Sequence, residues 1–327
     1  MARNGRPTVI GVGEVLWDLL PGGQQLGGAP ANFAYHAQSL GARALVVTRV
    51  GNDSLGRGVL QRFKDMNLPT GTVQVDDQNP TGTVTVTLNN LGVPEFTINE
   101  NAAWDRMVIT PPALEAVRQA DAVCFGSLAQ RDPASRATIQ QLLREAHAGA
   151  LRVFDINLRQ NFYSREIIEQ SMRLANVLKL NDEELVKVAE IFAVPGDTKA
   201  QMEWLAKSFG LKAVVLTRGP RGSLIYSANR WSEQPGRAVR VVDTVGAGDS
   251  FAAALVTGLL SEMEIGEVHA IASEVARYVC SQSGATPPLP EILRSRFANC
   301  TFVKAPLPEF KSSELSSKAP NSKQTIL

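Results

Sequence analysis

The sequence predicts an α/β protein with a mainly parallel sheet and a small second β element. Three observations carry this expectation. Short β-branched runs alternate with segments of helical composition, the rhythm of a parallel sheet covered by helices. One stretch, Thr83-Val84-Thr85-Val86-Thr87-Leu88, alternates residue by residue instead. The 327 residues, 44% hydrophobic, suffice for one large α/β unit with an appendage, or for two domains.

Taken in order, Thr8 to Gly13 is an apolar run closing in Gly-Val-Gly, a buried strand and its turn. A helix is expected from Pro30 to Leu40, stopped by Gly41. A strand from Ala44 to Val50 and a helix from about Leu55 to Met66 follow. Thr72–Val75, Gly82–Leu88 and Glu95–Ile98 break the rhythm. With turns at Asn89-Asn90 and Gly92, they read as antiparallel strands with one buried face. So small a sheet is not stable alone. It is expected to fold over the main sheet as a lid (residues 14–26 and 70–104), joined by the segment around Trp17–Gly23. The main rhythm resumes with strands at Ala122–Phe125, Leu151–Asp155, near Val177–Leu180 and at Ala213–Thr217. Helices are expected between them over Pro133–His147, Arg165–Ala175 and Asp182–Phe192, and two or three more from Phe251 onward. Beyond Ala305 the chain turns to Lys, Ser, Pro and Asn, so residues 305–327 are expected as a disordered tail.

Bulk properties exclude several function classes. Lys plus Arg (33) balance Asp plus Glu (32), so no basic stripe argues for nucleic acid. Cys124, Cys280 and Cys300 are far apart, without metal-ligand spacing, and fit a reducing compartment. His36, His147 and His269 are equally scattered, which argues against zinc. Met1 to Pro7 lacks an apolar signal segment and no stretch reaches membrane-spanning length, so a cytoplasmic location is expected.

Gly11-Val12-Gly13-Glu14 follows a strand, yet Leu16 stands where the dinucleotide fingerprint needs its third glycine. A phosphate loop of the Gly-x-x-x-x-Gly-Lys-Ser/Thr kind is absent. The most informative segment is Asp243-Thr244-Val245-Gly246-Ala247-Gly248-Asp249, which runs into an Ala-rich helical stretch. A Gly-Ala-Gly turn at a helix N-terminus leaves backbone N–H groups without intrahelical partners and places them at the positive end of the dipole, an anion site. An acid there would repel the anion, but it makes sense where a hydroxyl must lose its proton while attacking a phosphoryl group. A capping role for Asp243 or Asp249 is the alternative. A second such turn is Gly27-Gly28-Ala29-Pro30-Ala31-Asn32, where Asn32 could bind a polyol or the segment could be a plain turn with Pro opening a helix.

Together these segments resemble the two signatures of the ribokinase-like, PfkB-type carbohydrate kinases. Gly27, Gly28, Asn32, Ala34, Gly41 and Gly51 match the first in register. Asp243, Thr244, Gly246, Ala247, Gly248 and Asp249 match the second. The resemblance covers residues 8–302 and implies a three-layer α/β/α sandwich with a β lid. It implies Asp249 as catalytic base and the amides of Gly246, Ala247 and Gly248 as anion hole. Asp18, Gly28 and Asn32 would bind sugar hydroxyls. Asn181 and Glu184 look like the family's Asn-x-x-Glu element, which helps hold Mg²⁺ and the phosphates; the pair could equally be a capping box. Thr217, Arg218, Gly219 and Gly222 resemble the ATP loop, or else form an ordinary turn. Asp243, Val245 and Gly284 resemble a site for a monovalent cation such as K⁺. Gly-Gly-Ala-Pro-Ala-Asn and Asp155-Ile156-Asn157-Leu158-Arg159 resemble the fructokinase branch, which would give Asn157 and Arg159 to the sugar. Trp104 is expected either to wall the sugar pocket or to fill the lid core. D-fructose is the expected substrate. A kinase for 2-keto-3-deoxygluconate, ribose or a nucleoside is the alternative, and a non-catalytic sugar- or nucleotide-binding regulator a remote one. A homodimer through the lid face is expected.

Overall fold

The computed structural model describes residues 5–20, 22–88 and 94–297. The chain opens with β1 (Thr8–Val12), β2 (Leu16–Leu20) and β3 (Gly23–Gly27), followed by α1 (Ala29–Ser39), β4 (Arg43–Gly51) and α2 (Ser54–Asp65). Then come β5 (Val73–Asp76), β6 (Gly82–Leu88), β7 (Pro94–Ile98), α3 (Pro111–Gln119), β8 (Ala122–Phe125), α4 (Pro133–Glu145) and β9 (Leu151–Asp155). The second half runs α5 (Arg165–Leu174), β10 (Val177–Asn181), α6 (Asp182–Phe192), α7 (Thr198–Phe209), β11 (Ala213–Thr217), β12 (Ser223–Ser227) and β13 (Arg230–Gln234). It closes with α8 (Ala247–Leu260), α9 (Ile265–Cys280) and α10 (Glu291–Arg294).

Among the described residues, nine strands form the main sheet in the order β13-β12-β11-β10-β9-β8-β1-β4-β5. Its strands from β5 to β11 pair in parallel, and β12 and β13 add an antiparallel edge. The central strands are apolar on both faces, as a sheet covered on both sides requires. On one face Phe33 of α1, Phe63 of α2, Phe251 of α8 and Val275 of α9 share a core with Val153 and Val177. On the other, Val117, Ile139, Ile168, Leu185 and Leu205 of α3 to α7 pack with Phe125 and Phe154. The expected three layers are present.

The lid is a four-stranded sheet in the order β3-β2-β6-β7. Two expectations are corrected here. The strand near Thr72–Val75 belongs to the main sheet, where β5 pairs in parallel with the second half of β4. Its half-buried alternation is also what an edge strand shows, and the helix α2 before it makes β4-α2-β5 an ordinary crossover unit. The lid is also not purely antiparallel, because β2 and β6, far apart in sequence, run in the same direction from Leu16↔Gly82 onward. The β12–β13 hairpin was not foreseen. Its signal was the two-residue turn Ala228-Asn229, both at positive φ (49° and 60°). The turns at Asn89-Asn90 and Gly92, Cys300, the domain end at Phe302 and the tail lie outside the described residues.

The lid is tied to the main body at its base. Trp17 Nε1 donates to Leu55 O on α2 (3.0 Å). Arg131 donates to Asn99 O just past β7 and pairs with Asp105, while its guanidinium lies over the rings of Trp104 and Phe162. Gln160, in the loop after β9, accepts from Ile98 N of β7 (3.1 Å).

Candidate active site

The N-terminus of α8 is the focus of the expected site. Gly246 is its N-cap, at φ 79°, and a Cβ there would lie 2.3 Å from Ala285 O, so only glycine fits. No side chain caps this end. Of the three expected anion-hole donors, Ala247 N turns back to Thr244 O (3.3 Å). The amides of Gly246 and Gly248, and that of Asp249 itself, have no acceptor among the described residues. They stand at the positive helix end, as an anion site requires.

Asp249, in the first turn of α8, accepts a hydrogen bond from Asn32 Nδ2 of α1 (2.8 Å). The two family-signature helices therefore meet at these side chains. Burial, with the charge of Asp155, pushes the Asp249 carboxyl up to about 6, against the Asn32 hydrogen bond and the cations Lys179 and Arg159. That places it close to the range where a carboxylate works as a general base at neutral pH.

Asp18 and Gly28 come from lid strand β2 and the start of α1. Gly28, at φ 115°, is pressed so close to Glu14 O that a Cβ would lie 2.5 Å from it. Asp18 stands on β2 with its carboxylate against Gly27, and burial raises its pKa. Glu14, in the turn after β1, was not singled out from sequence. It is 2% exposed, and its Oε2 has no hydrogen-bond partner. Burial lifts its carboxyl to about 7, with Asp249 adding to the rise and its own amide, that of Ala29 and Arg159 opposing it. Only its place after Gly11-Val12-Gly13 hinted at it.

Beneath α8 the main sheet carries a second unforeseen group, Lys179. Its Nζ contacts both carboxylate oxygens of Asp155 at 2.8 Å, and it faces Gly248, whose Cβ position lies 3.2 Å away. In the sequence Asp155 is marked only as the start of the Asp-x-Asn-x-Arg run. Asn157, at φ 46°, turns the chain after β9, and Arg159 is exposed, yet its charge acts on both Asp249 and Glu14.

On the other side of α8, the expected nucleotide residues fall at the ends of β10 and β11. Asn181 caps α6 through Glu184 N (2.9 Å), while Glu184 Oε2 accepts from Asn181 N (2.8 Å) and its Oε1 from Leu158 N (3.0 Å). The capping-box alternative is thus realised in full. Thr217 ends β11, Arg218 reaches Glu233, and Gly222 N closes the turn on Gly219 O (3.1 Å). Asp243 Oδ1 accepts from Val245 N (3.0 Å) and its Oδ2 from Gly284 N (3.1 Å). The segments expected around a monovalent cation are therefore brought together. Trp104 does not reach the cleft. It is wholly buried, with its Nε1 against Gly82 and Arg131 over its ring, so the lid-core alternative describes it.

Among the described residues, no group of three or more His, Cys, Asp or Glu side chains could hold a metal ion unaided. A divalent ion that arrives on nucleotide phosphates with its own waters, as Mg²⁺ commonly does, needs only one or two protein ligands. Glu184 and Asn181 fit that arrangement, since each carboxylate oxygen keeps a lone pair beyond its backbone bond. No helix among the described residues is long and apolar enough to cross a membrane.

Comparison with known proteins bears on the family and the fold. Residues 22–292 match the pfkB family of carbohydrate kinases. Fructokinase-2 of Solanum lycopersicum is 30% identical over 320 residues, covering 89% of this chain and 96% of that protein. An uncharacterised sugar kinase of Pyrococcus horikoshii is 28% identical over 282 residues, covering 83% of this chain and 86% of that one. Its crystal structure superposes with a TM-score of 0.75, at 26% identity, over 90% of this chain and 99% of that one. A fructokinase of Xylella fastidiosa solved with bound ATP shares the fold, with a TM-score of 0.78 at 22% identity over 89% of this chain and 97% of that chain.

Proposed function

The chain belongs to the pfkB family of carbohydrate kinases, and we propose that within it the protein is a fructokinase, moving the γ-phosphoryl group of ATP to a hydroxyl of D-fructose. The observation that carries this reading is the Asn32–Asp249 hydrogen bond at the open N-terminus of α8. It joins a residue suited to polyol hydroxyls with a base set among unpaired amides. Asp249 takes the proton from the attacking hydroxyl, and the amides of Gly246, Gly248 and Asp249 receive the charge that develops on the phosphoryl oxygens. Asp18, Gly28 and Asn32 orient the sugar, with Asn157 and Arg159 at its rim. Asn181, Glu184, Thr217, Arg218, Gly219 and Gly222 hold the nucleotide side, where Mg²⁺ would neutralise phosphate charge. Asp243, Val245 and Gly284 would hold K⁺ beside the anion hole. Closure of the lid excludes water from the cleft. Its outer face, where Leu19 (39% exposed) stands beside Thr85 and Thr97, is the surface we assign to a homodimer.

The exposed Arg159 guanidinium favours a second reading, an acidic ketosugar such as 2-keto-3-deoxygluconate, whose carboxylate it would meet. ADP release from Mg²⁺–ATP should be measured with fructose, ribose, glucose, 2-keto-3-deoxygluconate and adenosine, each with K⁺ or Na⁺. Turnover on fructose alone is expected. Turnover on the acidic ketosugar, lost in Arg159→Ala, would replace the substrate and keep the chemistry. Silence on every compound with nucleotide binding intact would replace the kinase by a regulator.

A further inference from the structure

The sheet face beneath α8 is apolar at Cys124, Val153, Val177, Ala213 and Val215, except at one place. Asp155 and Lys179 stand opposite each other on the neighbouring strands β9 and β10, both on that face. Their side chains are 8% and 7% exposed, and both carboxylate oxygens are 2.8 Å from Nζ. Burying an ion pair in place of two apolar side chains seldom stabilises a fold, because desolvation offsets the attraction. Its position at the carboxyl ends of the strands, directly under Gly248, suggests what it does instead.

We propose that the Asp155–Lys179 pair is the positioning element of the phosphoryl-transfer site: the ammonium supports the Gly246–Gly248 turn from beneath, and the balance of the two charges sets the field felt by Asp249. Three features carry this. Nζ faces Gly248, since a Cβ there would be 3.2 Å from it, so the ammonium lies against the turn that carries the unpaired Gly246 and Gly248 amides. The backbone repeats the link, with Ile156 N donating to Lys179 O (3.0 Å) where the site loop leaves β9. The ammonium is also fixed in place, because both carboxylate oxygens of Asp155 hold Nζ at 2.8 Å.

The groups facing Asp249 come from every element around it: Glu14 from the turn after β1, Asn32 from α1, Cys124 from β8, Asp155 and Arg159 from β9 and its loop, and Lys179 from β10. Asp155 and Lys179 act on it with opposite signs, so their effects should separate on substitution. The inference rests on Asp249 being the base, but its first readout needs neither sugar nor nucleotide. The Asp249 carboxyl can be titrated by ¹³C NMR in the free protein, its resonance assigned by its loss in Asp249→Asn.

Lys179→Met leaves Asp155 unbalanced and should move the midpoint up by about one pH unit or more. Asp155→Asn leaves the ammonium unbalanced and should move it down by a similar amount, while the double variant should return near the wild-type position. Shifts in the same direction, or no shift in either single variant, would overturn the proposal. Single variants risk not folding, because each strands one buried charge. The double variant avoids this and carries a second test on the sugar that the wild-type protein turns over. It should lose roughly tenfold or more in kcat with little change in KM, the pattern of an interaction made in the transition state. Lys179→Arg, which keeps the charge, should recover part of the loss. Wild-type kcat in the double variant would show that the pair is dispensable to the site and overturn the proposal. Failure of the kinase reading shows itself separately, as a wild-type protein inactive on all sugars whose Asp249 still titrates as described.

Discussion

Two helices of this protein begin in the same way and face each other, α1 after Gly27-Gly28 and α8 within Gly246-Ala247-Gly248. Each has a glycine N-cap at positive φ (115° and 79°) pressed onto a backbone carbonyl, and neither has a side-chain cap. Their surroundings differ. At α1, Pro30 removes a donor, Ala31 and Asn32 bond back to Gly28 O, and the carboxyls of Glu14 and Asp18 close in. Little unpaired positive character is left, and what remains suits neutral hydroxyls. At α8 the amides of Gly246, Gly248 and Asp249 have no acceptor among the described residues, and a buried ammonium lies below. In the proposed function one local motif would thus serve a sugar at one end of the cleft and a phosphoryl group at the other. The neighbours decide which.

The most severe way to break the contrast is Asp249→Asn. It keeps the shape and the Asn32 contact but removes the base, so kcat should fall by about 10²–10⁴ with sugar and nucleotide KM little changed. Steady-state kinetics reads this directly, and undiminished turnover would remove Asp249 from the chemistry. The paired glycine variants come next. Gly246→Ala forces a Cβ against Ala285 O and should impair ATP binding and kcat. Gly28→Ala forces one against Glu14 O and should raise the sugar KM by roughly tenfold or more while nucleotide binding by calorimetry persists. If both variants failed on the same ligand, the division of labour between the two ends would be wrong.

Much of this division was legible in the chain. The Gly-Ala-Gly-Asp run sits at a helix start because small residues and an acid precede an apolar Ala-rich stretch, a local pattern. So does the Gly-Gly-Ala-Pro run. Lys179 was not legible, because a lysine inside Val177-Leu178-Lys179-Leu180 looks like any outward strand residue. Only the pairing of β9 with β10 sets it opposite Asp155. Glu14 was hidden for a similar reason, since its burial depends on α1 folding back over the end of β1. Only β5 was misassigned at the lid boundary, where half-buried alternation fits the lid and the main-sheet edge alike. What escaped was tertiary in origin.

A smaller effect tests the bridge between the two helices. Asn32→Ala removes the only side-chain hydrogen bond recorded to Asp249 among the described residues. A bond to a charged acceptor contributes about 1.5–3 kcal/mol, so kcat/KM should fall by roughly ten- to a hundredfold. In the wild-type protein kcat/KM should rise with pH through about 6 as Asp249 loses its proton. Because the Asn32 bond lowers that pKa, the acid limb should move upward in the variant. An unmoved limb would mean that the bond is not made in solution.

The mildest prediction concerns Glu14, and its sign runs against intuition for a carboxylate. Its pKa is raised from 4.5 to about 7, so the native state holds its proton more tightly than the unfolded chain. The associated stability is complete below about pH 4.5 and is lost as pH rises through about 7. Asp249, raised to about 6, acts in the same direction. The ligand-free protein should therefore lose thermal stability between pH 5 and 8 on account of these groups. Glu14→Gln keeps an oxygen for the Ala29 amide and carries no charge. It should flatten part of that slope and raise stability at pH 8 on the order of 1 kcal/mol, while weakening sugar binding if the carboxyl contacts a hydroxyl. Thermal melts across that pH range decide it: a slope unchanged by the substitution would mean that Glu14 is already ionised in the native protein, and that the α1 end of the cleft is more polar than its burial implies.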